Sequence, residues 1–379
     1  MPRQPGSAPT CIRCGLRAGR LSVSLDAAGV CNYCRAWERH PKGAFGLGEG
    51  RMPLEARLES YRGRFHYDAA VGLSGGKDSS HVLLRLSRDY GARVVAVTFD
   101  NGFLTESAWD NVREIARRLD VDHFVYRPDW AAYREFYRAA VSRLADPCIA
   151  CSVGGYVLSV RGCQDMRIPF FVHGRSPMQM YRHLRPGSRD PGLALLALNT
   201  APYSQGNVRR AVRRVEAQLR WPLGFLLPHL QRRRLVRQEL FGSGRARTVV
   251  EPEFLAFYLF EPYDEAAILD ELEGADIGYR RPPGHRPLGH DDCLIHDAAA
   301  YLYEIQHGVP RLSLEVAALV RQGRSTLEHA RTLLEQSRSS EDAVDRSIGH
   351  LVERLDVRRA DFDVWLDGLK RRRVKALFG

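Results

Sequence analysis

The run Leu73-Ser74-Gly75-Gly76-Lys77-Asp78-Ser79-Ser80 concentrates groups that bind anions. Adjacent glycines let the backbone approach a ligand closely and expose its N–H groups. Ser74, Ser79 and Ser80 add hydroxyl donors, and Lys77 adds a cation. An apolar run, Asp68 to Val71, precedes the loop and an amphipathic run, His81 to Leu86, follows it. The loop therefore joins a buried strand to a helix N-terminus, whose partial positive charge acts on the same ligand. A group with several oxygens, such as pyrophosphate, suits this combination. The spacing is neither G-x-x-x-x-G-K-[ST] nor G-x-G-x-x-G. The plain alternative is an ordinary glycine-rich turn.

The eight cysteines fall into groups. Cys11-x-x-Cys14 and Cys31-x-x-Cys34 are separated by sixteen residues, the spacing of a four-thiolate zinc site. Four thiolates would close the ion off from chemistry and hold together a module too short to have its own core. Leu21 to Asp26, followed by Ala27 to Val30, is expected to form a small hairpin between them. The alternative is a pair of disulfides. The second group is Cys148 and Cys151 in Asp146-Pro147-Cys148-Ile149-Ala150-Cys151-Ser152, with Cys293 in Gly289-His290-Asp291-Asp292-Cys293-Leu294-Ile295-His296. These three could form a redox or persulfide-carrying set, hold an iron–sulfur cluster through three thiolates with one iron open, bind a second zinc, or be inert. Cys163 has no motif around it and is expected to be a core thiol.

The elements that must position these groups alternate. Arg93 to Phe99 is an apolar strand ending in the turn Asp100-Asn101-Gly102. Helix 106–119, strand 122–126, helix 130–144, helix 151–165 and strand 169–173 follow, the last ending at Gly174-Arg175-Ser176. Tyr133, Phe136 and Tyr137 are expected in the core rather than around a ligand. Strands alternating with helices imply an α/β fold, a doubly wound parallel sheet with helices on both faces. Ligands bind beyond the carboxyl ends of such strands, so one pocket can collect Ser74–Ser79, Asp100–Gly102 and Gly174–Ser176. The chain divides into an N-terminal module (1–45), the anion-loop core (54–180), an Arg-rich insertion (181–250), a return to the core carrying Cys293 (251–310) and a helical C-terminal region (311–379).

A chain of 379 residues is long enough for more than one unit. No apolar run is long enough to span a bilayer, and Leu223 to Leu227 is broken by Pro222 and Pro228, so no membrane partner is expected. The N-terminus lacks the apolar stretch of a signal peptide, and a cytoplasmic location is expected. The net charge of +11 invites a nucleic-acid reading, but lysine occurs only at positions 42, 77, 370 and 375. Positive charge is carried by arginine throughout, which makes basic patches less telling and Lys77 more so. Arg209, Arg210, Arg213, Arg214 and Arg232 to Arg237 are accordingly expected to be a solvated surface rather than a docking face, and tRNA is a less favoured partner.

Ser74-Gly75-Gly76-Lys77-Asp78-Ser79 resembles the S-G-G-x-D-S signature of the PP-loop ATP pyrophosphatases. Cys31-Asn32-Tyr33-Cys34, Thr98-Phe99-Asp100-Asn101-Gly102, Tyr263-Asp264-Glu265-Ala266, Gly278-Tyr279-Arg280 and His307-Gly308-Val309-Pro310 occur in one order with it and look like the N-acetyl sugar amidotransferase group of that superfamily. The trio Cys148, Cys151 and Cys293 departs from that group and is similar to the cysteines of the iron–sulfur tRNA thiolation enzymes, also PP-loop proteins. The resemblance implies that ATP is split between its α- and β-phosphates while a substrate carbonyl oxygen is adenylated. It implies that Ser74, Gly75, Gly76, Lys77 and Ser79 hold pyrophosphate and that Asp78 is the Mg²⁺ partner. Phe99, Asp100 and Gly102 would border adenosine, and Gly174 and Arg175 the α-phosphate. The incoming nucleophile is then sulfur, from a [4Fe–4S] cluster or persulfide on Cys148, Cys151 and Cys293 with a separate sulfur donor, or ammonia from a partner glutaminase. A small molecule, nucleotide-linked sugars included, is the expected substrate. His290, Asp291, Asp292 and His296 are candidates for proton transfer. A non-catalytic nucleotide-binding protein is the remaining alternative.

Overall fold

The computed structural model describes residues 8–39, 52–176, 178–179, 205–219 and 252–378. The expected apolar run at Leu223 to Leu227 and the arginines from Arg232 to Arg237 lie outside these residues. A five-stranded parallel sheet organises the molecule: β1 (Ala69–Gly72), β2 (Val94–Phe99), β3 (Asp122–Tyr126), β4 (Phe170–His173) and β5 (Glu253–Ala256), in the order β3-β2-β1-β4-β5. Parallel strands need crossovers, which the helices provide. The chain winds outward from β1 through β2 to β3, then returns across the sheet to β4 on the other side of β1. That reversal makes the carboxyl ends of β1 and β4 a topological switch point, the crevice in which such sheets bind ligands.

Side chains alternate along β1, and each face has its own core. Ala69 and Val71 join Val94, Ala96, Phe170, Val172 and Leu255 under α2 (Leu54–Glu59), α3 (Lys77–Arg88), α4 (Glu106–Arg118) and, later in the chain, the helix Glu265–Gly274. Ala70, Val95, Val97, Phe171 and Phe254 point the other way, against α5 (Trp130–Leu144), α6 (Pro147–Met166) and α7 (Gln205–Leu219). Tyr133, Phe136, Tyr137 and Cys163 are buried in that second core. The helix Glu265–Gly274 is α8; α9 (His296–His307), α10 (Ser313–Arg321), α11 (Leu327–Gln336), α12 (Glu341–Leu355) and α13 (Arg359–Phe378) complete the chain.

Three local features differ from the sequence expectation. Strand β5 is a four-residue parallel strand on the sheet edge; it opens the apolar run Phe254 to Phe260, where the sequence analysis places no strand. Helix α6 begins at Pro147, not at Cys151, because Asp146 is its N-cap, accepting from Cys148 N at 2.9 Å, and Pro147 occupies the first turn. The hairpin expected over residues 21–30 is reduced to one antiparallel bridge, Leu25 to Cys31, closing a turn in which Asp26 Oδ1 accepts from Ala28 N and Val30 N.

A separate small core gathers Cys11, Cys14, Leu16, Val23, Val30, Cys31, Tyr33 and Cys34 with Met178 and with Leu314, Ala317 and Ala318 of α10. The N-terminal module is thus docked on the helical C-terminal region. None of the described helices is long and apolar enough to cross a membrane.

Candidate functional site

A cavity of about 310 Å³ opens at the switch point. Its walls include Ser74, Gly76, Lys77, Asp78 and Ser79 after β1, Phe99 and Asn101 at the end of β2, and His173, Gly174 and Arg175 at the end of β4. The same cavity is lined by Cys148, Cys151 and Cys293, together with His290, Asp291, Asp292 and His296. Two groups that the sequence separates by many elements therefore face one space.

The loop after β1 owes its course to glycine. Gly75 has φ +79°, and a Cβ there would lie 2.1 Å from the Ala108 carbonyl oxygen. Gly75 itself shapes the loop and does not line the cavity; its carbonyl accepts from Asn111 Nδ2 at 3.0 Å. Gly76 caps α3 in an extended conformation without a side-chain bond. Ser79 Oγ accepts from Ser74 N at 3.0 Å and lies 3.1 Å from Ser74 Oγ, which folds the loop back on the helix start. A Cβ on Gly174 would fall 2.8 Å from the Asp78 carbonyl oxygen, so β4 can approach α3 only through glycine.

Lys77 is buried between carboxylates, 3.2 Å from Glu265 Oε1 and 3.6 Å from Asp78 Oδ1, and donates to Gly289 O at 3.2 Å. Burial alone would push its ammonium down, but Asp78 and Glu265 outweigh it and hold the group firmly protonated. Burial pushes Asp78 up, against the pull of Lys77, and Asp78 Oδ1 is a buried oxygen without a hydrogen-bond donor. Asp292 is likewise pushed up by burial, with Ser74 opposing. His173 is driven down to about 3, by burial and then by Arg175, and stands neutral in the wall. Arg175 donates to Tyr156 Oη at 3.0 Å and Ser152 Oγ at 3.3 Å, and its guanidinium lies over the Tyr156 ring.

The cysteines of the cavity are held by different means. Cys148 and Cys151 lie one helical turn apart in the first turns of α6, on one face. Cys293 is pinned from across the molecule: Leu104 pairs with it as an antiparallel bridge, Leu294 N donates to Phe103 O at 2.8 Å and Thr105 N to Asp292 O at 3.2 Å. Arg311 Nη2 donates to Cys148 Sγ and Asn101 Nδ2 to Cys151 Sγ, each at 3.2 Å. Burial pushes the Cys151 and Cys293 thiols up. Burial would lower the Arg311 guanidinium, but Cys148 and Asp146 beside it hold its charge in place.

The other four cysteines form a tighter group. The sulfurs of Cys11, Cys14, Cys31 and Cys34 all lie within 4.8 Å of one another, the one such metal-sized group of ligand atoms among the described residues. All four are buried and unbridged. Cys31 N donates to Cys11 Sγ at 3.3 Å and Cys34 N to Cys31 Sγ at 3.4 Å. Hydrogen bonds with Cys31 and Cys34 draw the Cys14 thiol down, while Cys14 pushes those two up.

Two residues expected to border a nucleotide lie outside the cavity wall. Asp100 accepts from Gly102 N at 3.1 Å and pairs with Arg127 at 3.1 Å, and Gly102, at φ +81°, packs beneath Trp130; Asn101 lines the cavity in their stead. Sequence reasoning did not single out Arg311, Gln179 or Glu265, whereas Asn101 lies within the Asp100–Gly102 turn expected at the pocket. Arg311 directly follows His307-Gly308-Val309-Pro310, and Glu265 sits inside Tyr263-Asp264-Glu265-Ala266, so a signal existed for both. Gln179 forms a reciprocal pair with Ser176, whose N donates to Gln179 Oε1 at 3.0 Å while Gln179 N donates to Ser176 Oγ at 3.2 Å. Its Nε2 lies 3.1 Å from His290 Nε2.

No protein-family model matches the chain, and no curated protein matches it. Among solved structures it is similar to the U34-tRNA thiolase NcsA from Methanococcus maripaludis with its [4Fe–4S] cluster, at 13% identity and a TM-score of 0.33, with 89% of this chain and 96% of that chain covered.

Proposed function

We propose that this chain is an ATP-dependent PP-loop enzyme that adenylates a substrate carbonyl oxygen and replaces that oxygen with sulfur. The observation that carries the reading is the shared cavity, with the glycine-serine loop on one wall and Cys148, Cys151 and Cys293 on another. A carbonyl oxygen is a poor leaving group at neutral pH. Its attack on the α-phosphorus of ATP breaks the bond to the β-phosphate, releases pyrophosphate and leaves an AMP ester. Addition of sulfur at the same carbon then expels AMP, which carries the oxygen away, and leaves a carbon–sulfur double bond.

The loop serves the first step. The amide of Gly76 and the hydroxyls of Ser74 and Ser79 suit the departing pyrophosphate, with Lys77 as its counter-charge and Gly75 shaping the loop that presents them. Asp78 Oδ1, buried without a hydrogen-bond donor, suits a Mg²⁺ ion that arrives with the nucleotide. Arg175 suits the α-phosphate, and Phe99 and Asn101 the nucleoside. In the second step Cys148, Cys151 and Cys293 suit an iron–sulfur cluster, because they converge on the cavity yet do not close around a single ion as the other four do. Bound there, such a cluster supplies an open iron on which the incoming sulfur can be carried. His290 and Asp292 line the cavity and suit proton movement there. The buried quartet Cys11, Cys14, Cys31 and Cys34 suits one tetrahedral Zn²⁺ in a structural role.

Metal and sulfide analysis of protein purified without oxygen tests this reading, alongside pyrophosphate release. The expected result is about four irons with matching sulfide per chain and a broad visible band that Cys148→Ser abolishes. One zinc and no iron, with pyrophosphate release intact and ammonia consumed, would replace thiolation with amidotransfer.

A further inference from the structure

Two short links join the four-cysteine module to the cysteine wall of the cavity. The first runs through α10. Leu314, Ala317 and Ala318 pack in the core that contains Cys11, Cys14, Cys31 and Cys34. Three residues before Leu314, Arg311 reaches into the cavity and donates to Cys148 Sγ at 3.2 Å. The connection is stiff: Ser313 N and Oγ both donate to Pro310 O, at 3.1 and 2.7 Å, and Val316 N donates to Leu312 O at 2.9 Å. Arg311 therefore moves with the helix. At the far end of α10 the Arg321 guanidinium lies 5.7 Å from the ring centroid of Tyr33, which sits between Cys31 and Cys34. The second link is one residue long. Met178 is buried in the module core, and its neighbour Gln179 lines the cavity and meets His290.

We propose that the four-cysteine module is a positioning element of the cavity, holding Arg311 against Cys148 through α10 and Gln179 against His290 through Met178. A site closed by four buried sulfurs does no chemistry itself, but the ion that suits it would tie together the small core that Met178 and α10 share with the module. Everything docked on that core inherits its rigidity. Arg311 is then a positioning residue, and the state of the distant metal is felt at Cys148. The catalytic consequence rests on the thiolation reading above; the mechanical link does not.

The test uses the full chain, freed of iron, and reads the rate at which a thiol reagent modifies Cys148, located by mass spectrometry. Buried Cys163 serves as the fold control. Ala317→Glu places a charge in the docking face without touching a sulfur. Expected are retained zinc, faster amide exchange over residues 311–321, unmodified Cys163, and modification of Cys148 accelerated about tenfold or more, as local opening predicts. Arg311→Met should reproduce the faster Cys148 modification with amide exchange unchanged. An unchanged Cys148 rate in Ala317→Glu, with exchange over 311–321 raised, overturns the proposal. If that variant loses zinc or exposes Cys163, withdrawing zinc from the native chain with a chelator gives the same reading, and an unchanged Cys148 rate there overturns it equally. Iron content of the untreated native protein is measured separately. Absent iron counts against thiolation and leaves the mechanical result standing.

Discussion

The two cysteine groups of this chain differ in everything except their C-x-x-C spacing. Cys11, Cys14, Cys31 and Cys34 face one another, buried, with backbone amides donating to their sulfurs. Cys148, Cys151 and Cys293 are partly accessible and face a cavity, and the first two accept from side chains, Arg311 and Asn101. A metal centre that only holds a fold needs its ligands spent on the ion and screened from solvent. A centre that does chemistry needs an open side, and neighbours that adjust charge without filling it. The contrast shows that the motif alone does not assign a role; what the sulfurs face does.

The largest effects should separate the groups outright. On the zinc reading proposed above, Cys14→Ser removes one ligand from the ion that would hold the module together, a contribution of roughly 10 kcal/mol in comparable small sites. The variant should lose zinc and melt far below the native chain in calorimetry. Cys148→Ser should melt within a degree or two of the native chain, bind ATP normally and lose turnover by about a thousandfold or more, the scale expected for an essential reacting group. Equal loss of folding in both variants would erase the distinction.

A second comparison sets a glycine that the loop after β1 requires against one in the turn between α3 and β2, outside the cavity wall. Gly75→Ala meets the Ala108 carbonyl at 2.1 Å in a left-handed conformation, whereas Gly91, at φ +55°, has nothing within 4 Å. Gly75→Ala should cost about 3 kcal/mol and nearly abolish ATP–pyrophosphate exchange; Gly91→Ala should cost about 1 kcal/mol and leave exchange intact. Chemical denaturation and exchange of labelled pyrophosphate read the two. Similar exchange in both variants would mean that the loop does not hold the nucleotide.

The cavity wall can also be probed by protons. His173 is driven down to about 3, so the native state refuses a proton that the unfolded chain accepts near its ordinary value. The unfolded state therefore binds more protons between about pH 3 and 6.5, and stability must fall as pH drops through that window. His173→Gln should flatten this slope in urea titrations across pH 4 to 7. An unchanged slope would place the acid sensitivity elsewhere.

The sheet and its order of elements were legible because β1, β2 and β4 are continuous apolar runs, each followed by turn residues, and helices of clear period separate them. The pocket at their carboxyl ends follows from that topology alone. Less was legible where contacts are remote. Nothing around Cys293 announces the bridge to Leu104 that brings it to Cys148, and the apolar run from Phe254 does not announce that its start pairs with β4. The turn after β2 was recognisable, yet only coordinates distinguish Asn101, which faces the cavity, from Asp100, whose carboxylate is taken by Gly102 N and Arg127. Local patterns encode elements; which side chain of a turn looks inward depends on partners far along the chain.

The smallest expected effect tests how the lysine wall is tied to the helices that carry the module. Asp264 caps α8, accepting from Ala266 N and Ala267 N at 3.1 and 3.2 Å, and pairs with Arg324 at 2.9 Å, just beyond α10. The next residue, Glu265, meets Lys77 and also accepts from Leu288 N at 2.8 Å. Loss of the cap should therefore loosen Glu265 more than it unfolds the protein. The backbone donors, chiefly Ala267 N, and then Arg324 hold the Asp264 carboxyl below its ordinary value. Because the folded pKa is depressed, the stabilisation is full above the unfolded carboxylate value near 3.9 and disappears as pH falls through the folded one. Asp264→Ala should cost about 1 kcal/mol at pH 7, and the gap to the native chain should close as pH falls below 4. A gap that does not narrow at all as pH falls below 4 would mean that Asp264 acts through packing, and that the tie between the lysine wall and α10 does not depend on its charge.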